Sequence, residues 1–479
     1  MSTADTQKSY LYEQVADKIS RLVDQGTLRP GDRIPSVRKM SSQHGISVST
    51  VMEAYYLLEN RGLVEARPQS GFYIRLSPLE YPADPKISEP PTLVNEVGVN
   101  DLVMEVSDMA QDHEMAQLGV ALPSPEIYPT AKLNKVLTAT VRRMGMKTNV
   151  YASASGSEYL RREIAKRSLD WGCSLSSDDF IITNGATDAL NICLRAVAEP
   201  GDTIAVESPT YFGILQIIEN LGMKTLEIPT HCRDGISIQS LKAALDKNDV
   251  KVCLFSLNAQ NPLGFIMPDE RKKQLVELLA RRNIPLIEDD VYGDIYFSAA
   301  RPKVAKSYDK KGLVMLCSSF SKTLSPGFRI GWTSPGKFKS AVRQLKHSSS
   351  VGTPLVLQEA VAEFLKSGGY DYYLRKIRRT YETQTQLLIR AIRNYFPEGT
   401  WFSRPDGGIV VWVEFPKWVD ALKLYRMALK EKIAIAPGPI FSPTRQYKNY
   451  IRLHCGEIWS DKIEKALVTI GRLAEDQRP

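Results

Sequence analysis

Lys322 stands in the run Ser318-Ser-Phe-Ser-Lys-Thr-Leu-Ser-Pro-Gly-Phe-Arg-Ile-Gly-Trp332, between small hydroxyl residues and ahead of a Pro-Gly break and Arg329. An amine used for covalent chemistry must be reachable and partly desolvated, so that some of it is unprotonated. A lysine at a strand end, flanked by Ser319 and Ser321, meets that need. The two hydroxyls and the Arg329 guanidinium can together hold a phosphate. In Thr183-Asn-Gly-Ala-Thr-Asp-Ala-Leu190, small residues lead from a strand into a helix. The first N–H groups of such a helix, at Ala186 and Thr187, face an anion with the helix dipole behind them. Ile287-Glu-Asp-Asp-Val-Tyr-Gly293 puts acidic residues at a strand end. Buried strand ends seldom carry such a run without purpose, and Asp289 supplies a fixed anion.

Three further positions complete the set. Tyr211, in Val206-Glu-Ser-Pro-Thr-Tyr-Phe-Gly213, places an aromatic ring just past a strand, where it can stack on a planar ligand. Asn261, in Asn258-Ala-Gln-Asn-Pro-Leu-Gly264, follows another strand, in a setting that a plain turn would also favour. Arg452, in the strand-like run Tyr450-Ile-Arg-Leu-His454, offers a guanidinium fork that matches a carboxylate.

The bulk numbers bound the setting. The chain has 479 residues, enough for two or three domains, with 43% hydrophobic and 24% charged residues, as in soluble globular proteins. Six scattered cysteines form no CxxC pair, and five histidines form no ligand cluster, which predicts a reduced, cytoplasmic setting without zinc or disulfides. No run approaches the ~18 apolar residues of a membrane span. The net charge of +8 permits a polyanionic partner.

The elements that position these residues fall into two parts. In the first, Leu11, Val15, Ile19, Leu22 and Val23 recur at helical spacing. Ser36 is a natural N-cap for a short helix from Val37 to His44, Gly45 allows a sharp turn, and Ser47 or Ser49 caps a further helix to about Asn60, with Gly62 as its stop. Leu63 to Ala66 and Gly71 to Ile74 read as a hairpin around Arg67-Pro-Gln-Ser-Gly71. Helix, helix, turn, helix, hairpin is the plan of a winged helix-turn-helix. Leu76 to about Asp112, with Pro78, Pro82, Pro85, Pro90 and Pro91, reads as a semi-extended linker at residues 77–112. From about His113, strand-like runs (Phe180 to Thr183, Thr203 to Val206, Val252 to Phe255, Pro285 to Glu288, Leu313 to Leu316) alternate with helical patterns. The expectation is an α/β domain with a mainly parallel sheet, its functional residues beyond the carboxyl ends of the strands. A return to strand around Gly407 to Val413 marks a small C-terminal part.

Pro30-Gly-Asp-Arg-Ile-Pro-Ser-Val-Arg38 and Gly62-Leu-Val-Glu-Ala-Arg67 resemble the GntR family of bacterial repressors, over residues 8–76. That resemblance implies binding to double-stranded DNA, with Arg38, Ser47, Ser49, Thr50, Arg67 and Gly71 as the contacts. Family members often carry arginines where Val48 and Met52 stand here, so base reading by bidentate arginine is reduced. About ten basic against about eight acidic residues make a modest electrostatic footprint.

The order Gly-Ala-Thr, Tyr, Asn-Pro, Asp-x-x-Tyr, Ser-x-Ser-Lys, Arg and a terminal Arg resembles the fold-type I pyridoxal-phosphate enzymes, the aspartate aminotransferase family, over residues 113–479 with a large subdomain at about 151–345. The resemblance implies pyridoxal 5′-phosphate as cofactor and Lys322 as its Schiff-base lysine. Ala186, Thr187, Ser319, Ser321 and Arg329 then hold the phosphate, and Tyr211 stacks on the ring. Asn261 and Tyr292 reach the 3′-oxygen, and Asp289 pairs with the ring nitrogen. Arg452 takes an amino-acid carboxylate, and Tyr151 reaches the phosphate of a neighbouring subunit. The two halves together resemble the MocR-type regulators, and the wing and short linker look closest to the YdcR-like subset. The implied molecule is a bacterial transcription factor, a head-to-tail homodimer, cytoplasmic and nucleoid-associated when DNA-bound. It would bind promoter half-sites and sense an amino acid, an amine or the cofactor itself. The alternative is a working aminotransferase with an accessory N-terminal domain, since the catalytic residue types are all present.

Overall fold

A computed structural model describes residues 10–25, 27, 28, 31–60, 63–67, 70–74, 85, 87–90, 93–109, 112 and 114–479, with only the backbone at 24, 60 and 67. Pro30, Gly62, Pro68, Gln69, Leu76, Pro78, Pro82 and Pro91, all used in the readings above, lie outside the described residues. The chain divides into two units, Met1–Pro82 and Ala83–Pro479.

In the first unit three helices, Leu11–Asp24, Val37–His44 and Val48–Asn60, precede an antiparallel hairpin of Val64–Arg67 and Gly71–Ile74. The short middle helix starts where a hydroxyl can accept from its first turn: the Lys39 N–H donates to Ser36 Oγ at 3.3 Å. It stops at Gly45, whose φ of 63° is left-handed. The third helix is capped by Ser47 Oγ, which accepts from the Thr50 N–H at 3.1 Å. Its inward face contributes Val51, Ala54, Tyr55 and Leu58, which pack with Ala16, Ile19, Ile34, Met40, Val64 and Ile74 into one core. Tyr55 buries its ring there and donates its hydroxyl to the Pro35 carbonyl at 2.6 Å.

The second unit is built on an eight-stranded sheet. Across it run Ile181–Thr183, Gly331–Ser334, Val314–Ser319, Leu286–Asp289, Val250–Phe255, Thr203–Ser208, Lys224–His231 and Gly235–Ile236. The five from Val314–Ser319 to Lys224–His231 are mutually parallel, while Gly331–Ser334 runs antiparallel to both its neighbours. Helices cover both faces, so even the polar strand ends are covered: Val314–Ser319 and Leu286–Asp289 are buried at every position. The strand Lys224–His231 hides its periodicity behind Lys224, Glu227 and Pro229 and has no counterpart in the sequence reading. A four-stranded sheet of Trp401–Phe402, Val410–Glu414, Tyr450–His454 and Ala436–Pro437 forms the smaller part. Ala116–Gln117 pairs in parallel with Ile433–Ala434, so segments from both sides of the large sheet build this part.

The expected linker to about Asp112 is corrected by the structure. Residues from Ala83 onward belong to the second unit. Ser88 is buried and donates to the Ser208 carbonyl at 2.6 Å, Asn95 bridges to Thr225, and Asn100–Met109 is a helix that buries Val103 and Val106. An irregular segment can satisfy its polar groups on an existing sheet edge, as Ser88 and Asn95 do here.

Leu58 has no exposed surface and no counterpart in the second unit's cores. Leu58→Ala is expected to destabilise the first unit by about 2–5 kcal/mol. Hydrogen exchange on the intact chain checks this: protection should fall in peptides from 11–74 and stay unchanged beyond residue 114.

Candidate functional site

The site forms where strand ends meet. Ser319 pairs with Gly331, and Gly331 pairs in turn with Thr183, so three segments reach one edge of the sheet side by side. They carry Lys322, Arg329 and the Asn184-Gly-Ala-Thr turn. The approach is close enough to dictate residue types. A Cβ on Gly331 would lie 2.4 Å from the Gly185 carbonyl carbon, and one on Gly185 would lie 2.5 Å from Arg329 Nη2. Arg329 itself has a left-handed φ of 52°, which turns it back over the helix start, where its Nη2 donates to the Asn184 carbonyl at 3.2 Å. The helix Ala186–Val197 begins at Gly185 with no side-chain cap. Its first N–H groups therefore point at the guanidinium's surroundings without an intrahelical partner. Ser319 and Ser321 are buried beside this cradle.

Lys322 lies three residues beyond its strand. Its Nζ donates to the Ala121 carbonyl at 2.6 Å. Burial, with Arg452 and Arg329 nearby, pushes the amine down to about 8, against an opposing pull from Asp289. Asp289 ends the adjacent parallel strand, in register with Cys317. Burial and Asp290 push its carboxyl up to about 7, although it accepts from the Val291 N–H at 3.2 Å. Its flanking acids go elsewhere: Glu288 accepts from the N–H groups of Ala305 and Lys306, and Asp290 pairs with Arg301 at 2.5 Å. Of the three acidic residues, Asp289 is the one that acts on Lys322.

Arg452 is fully buried in the strand Tyr450–His454. Its Nη1 donates to Asn261 Oδ1 at 3.1 Å, and its Nη2 donates to the Gly119 carbonyl. Its Nε has no partner, and no carboxylate among the described residues pairs with it. Burial pulls the group down to about 10, still protonated at neutral pH. A buried guanidinium that faces only neutral acceptors is incomplete. The same short segment, Gly119 to Ala121, caps both this cation and Lys322, and sequence reasoning missed it. Asn261 is buried, and with its carbonyl on Arg452 its amide N–H₂ remains to donate.

Tyr211 is the N-cap residue of the helix Phe212–Asn220. Gly213 makes room for its ring, since a Cβ there would lie 2.5 Å from Tyr211 Cε1. Burial raises the Tyr211 and Tyr292 hydroxyls, and Arg452 acts on both. Tyr151 stands apart: it is 84% exposed. In the first unit Arg38, Ser47 and Ser49 are exposed and Thr50 is half-buried. Ser47 Oγ lies 2.8 Å from both Ser49 Oγ and Thr50 Oγ1, so these hydroxyls form one cluster at the helix start. Gly71 has a φ of 106° and packs under the Arg33 guanidinium, while the Arg67 side chain lies outside the described residues. Arg33 had no place among the expected contacts.

These residues fit an anionic, planar, aldehyde-bearing group. The uncapped helix start with Arg329 suits a phosphate, Gly185 and Gly331 let the guanidinium and the backbone come close to that helix start, and a desolvated amine feels the charge of a carboxylate.

Comparison with known proteins agrees with the geometry. The family "Aminotransferase class I and II" matches residues 126–470, and "Bacterial regulatory proteins, gntR family" matches residues 11–74. Among relatives, the uncharacterized HTH-type transcriptional regulator YdcR of Escherichia coli K12 is 36% identical over 97% of this chain and 99% of its own. The uncharacterized HTH-type transcriptional regulator YjiR of the same organism is 36% identical over 96% of this chain and 98% of its own. Among solved structures, Pyrococcus horikoshii kynurenine aminotransferase in complex with PMP superposes with a TM-score of 0.74 at 28% identity, over 79% of this chain and 95% of that one.

An amine held near 8 must titrate there. Capture of Lys322 by a small aldehyde with borohydride, located by peptide mapping, is expected to reach half its maximum near pH 8. A solvated lysine would do so near about 10.4, and that result would contradict the desolvated site.

Proposed function

The chain belongs to the aminotransferase class I and II family and carries a gntR-family domain ahead of it, as HTH-type regulators of the MocR kind do; from that premise we propose that it is a DNA-binding transcription regulator that holds pyridoxal 5′-phosphate and senses an amino acid or amine at that site. The observation that carries this reading is Arg452, a buried cation with an unpartnered Nε beside a desolvated amine. No described helix is long and apolar enough to cross a membrane.

In this reading Ser319, Ser321, Arg329 and the N–H groups of Ala186 and Thr187 bind the phosphate. Lys322 Nζ, which here donates to the Ala121 carbonyl, would be the amine that holds the cofactor. Tyr211 stacks on the ring, and Asn261 Nδ2 with Tyr292 addresses the 3′-oxygen. When bound, the cofactor supplies an electron sink for bonds to the effector's α-carbon. Asp289 sustains that property: a protonated ring nitrogen beside it stabilises its charged form, which burial alone disfavours. Arg452 exchanges the Gly119 carbonyl for the effector's carboxylate, gaining a charge-assisted fork in place of a neutral acceptor. That exchange gives the effector a differential affinity for two arrangements of Gly119 to Ala121, which any coupling to DNA binding requires. Tyr151, being exposed, fits a role toward the phosphate of a second copy in a head-to-tail homodimer. In the first unit the Ser47, Ser49 and Thr50 hydroxyls, Arg38 and the wing at Gly71 address DNA backbone and groove. A working aminotransferase is the second reading, favoured by the complete catalytic set around Lys322.

The full chain with pyridoxal phosphate is expected to develop a visible absorption band that Lys322→Ala lacks; no band in the unaltered chain would remove the cofactor from the account. Footprinting upstream of neighbouring genes should show protection that a carboxylate-bearing amine alters. Arg452→Ala should raise the concentration needed for that change by about tenfold or more. Turnover at roughly 1 per second or faster, with no protected DNA, would favour the aminotransferase.

A further inference from the structure

A cavity of about 380 Å³ lies in the second unit and shares no lining residue with the site around Lys322. That volume suits a small ligand. One wall is aromatic. The rings of Trp412 and Tyr450 stack at 5.4 Å and 22°, and Tyr447 meets them edge-on at 5.6 and 5.4 Å. Pro85, Ile87, Ser88, Glu89 and Gln446 also line the cavity. Among the described lining residues there is a carboxylate, Glu89, and no lysine, arginine or histidine.

A second carboxylate stands behind Gln446. Glu227 is buried and accepts from Ser208 Oγ at 2.7 Å, from Ser442 Oγ at 3.4 Å, and from Thr444 Oγ1 and Gln446 Nε2 at 3.5 Å each. All of these donors are neutral. Burial raises its carboxyl, as expected where no cation compensates it. The loop that closes the cavity is also strained: Arg445 and Tyr447 take left-handed φ values of 54° and 57°. Strain of this kind in residues other than glycine gathers at ligand clamps. Here it is held by the Tyr447 hydroxyl, 2.7 Å from Ser208 Oγ.

We propose that this cavity is a second ligand site, which takes a small organic cation with an apolar body. Aromatic faces attract a cation through the ring quadrupole, and an ammonium that has lost water gains most from them. Glu89 at the wall supplies the opposite charge, and the buried Glu227 carboxyl stands behind it. The ligand would rest against Pro209, two residues before Tyr211, and against Trp412, whose ring meets Phe441 at 5.1 Å. Phe441 in turn lies 5.2 Å from the Arg452 guanidinium.

The probe is choline, whose quaternary nitrogen bears no proton and forms no imine, so the result is independent of the cofactor reading. Calorimetry on the full chain is expected to show millimolar or tighter binding, with the neutral isostere 3,3-dimethylbutan-1-ol weaker by about tenfold. Glu89→Gln, at an exposed position, and Tyr450→Leu should each weaken choline binding by several-fold. No binding up to about 10 mM, equal binding of the neutral isostere, or choline binding unchanged in both variants would each overturn the site.

Discussion

The structure depends on holding two cations and one carboxylate away from water in a space where none of the three is neutralised in full. Lys322 has Asp289 as its nearest compensation and a backbone carbonyl as its acceptor. Arg452 has an amide and a carbonyl. Removing one partner of a buried ion pair costs about 3–5 kcal/mol, so a site left with unpaired charge carries a standing penalty that only a ligand of matching charge removes. That penalty accounts for the direction of every shift here: the amine down, the carboxyl up, the guanidinium down. His454, two residues along the strand from Arg452, obeys the same rule. Burial and the nearby Arg452 lower it to about 3, so it is neutral and adds no third cation.

The fold makes this arrangement affordable by fixing the backbone first. Parallel strands end at a common edge, and the antiparallel Gly331–Ser334 brings Arg329 back to that edge from beyond Lys322. The ion pairs of Asp290 with Arg301 and of Asp294 with Arg301 and Arg167 hold the loop after Asp289. Those pairs are closed, with both signs present, whereas the pair-forming groups at the site are open. The contrast separates charges neutralised within the fold from charges that are not.

Much of this was legible in the sequence because it rests on local chemistry. Ser36, Gly45 and Ser47 mark helix ends through their own backbone bonds, and Lys322, Asp289 and Arg452 are residue types that strand ends rarely bury without purpose. What was hidden is long-range. The carbonyls of Gly119 and Ala121 carry no side-chain signal, yet they cap both cations. Glu288 and Asp290 flank Asp289 with the same chemistry, and only strand alternation sends them to different partners. Gly185 reads as one more turn glycine until the Arg329 guanidinium is placed 2.5 Å from where its Cβ would be. The prolines before Asn100 suggest a free linker, since nothing in their spacing shows that Ser88 and Asn95 find acceptors more than a hundred residues away.

That last departure bears on how the segment before Asn100 is held. A free linker would let the second unit change without consequence for what precedes it. Instead, Ser88 donates to the Ser208 carbonyl, and its own oxygen accepts from the Thr230 N–H at 3.0 Å. Ser208 closes the strand that leads to Tyr211 and also binds Glu227 and Tyr447. The segment around Ser88 is therefore fastened to the strand end that leads to Tyr211. A shift of that strand end relative to Thr230 must break one of the two buried hydrogen bonds of Ser88. Each buried donor or acceptor left unsatisfied costs about 1–3 kcal/mol, comparable with the coupling energies typical of allosteric proteins. Ser88 thus ties its own segment to the ends of two neighbouring strands of the large sheet.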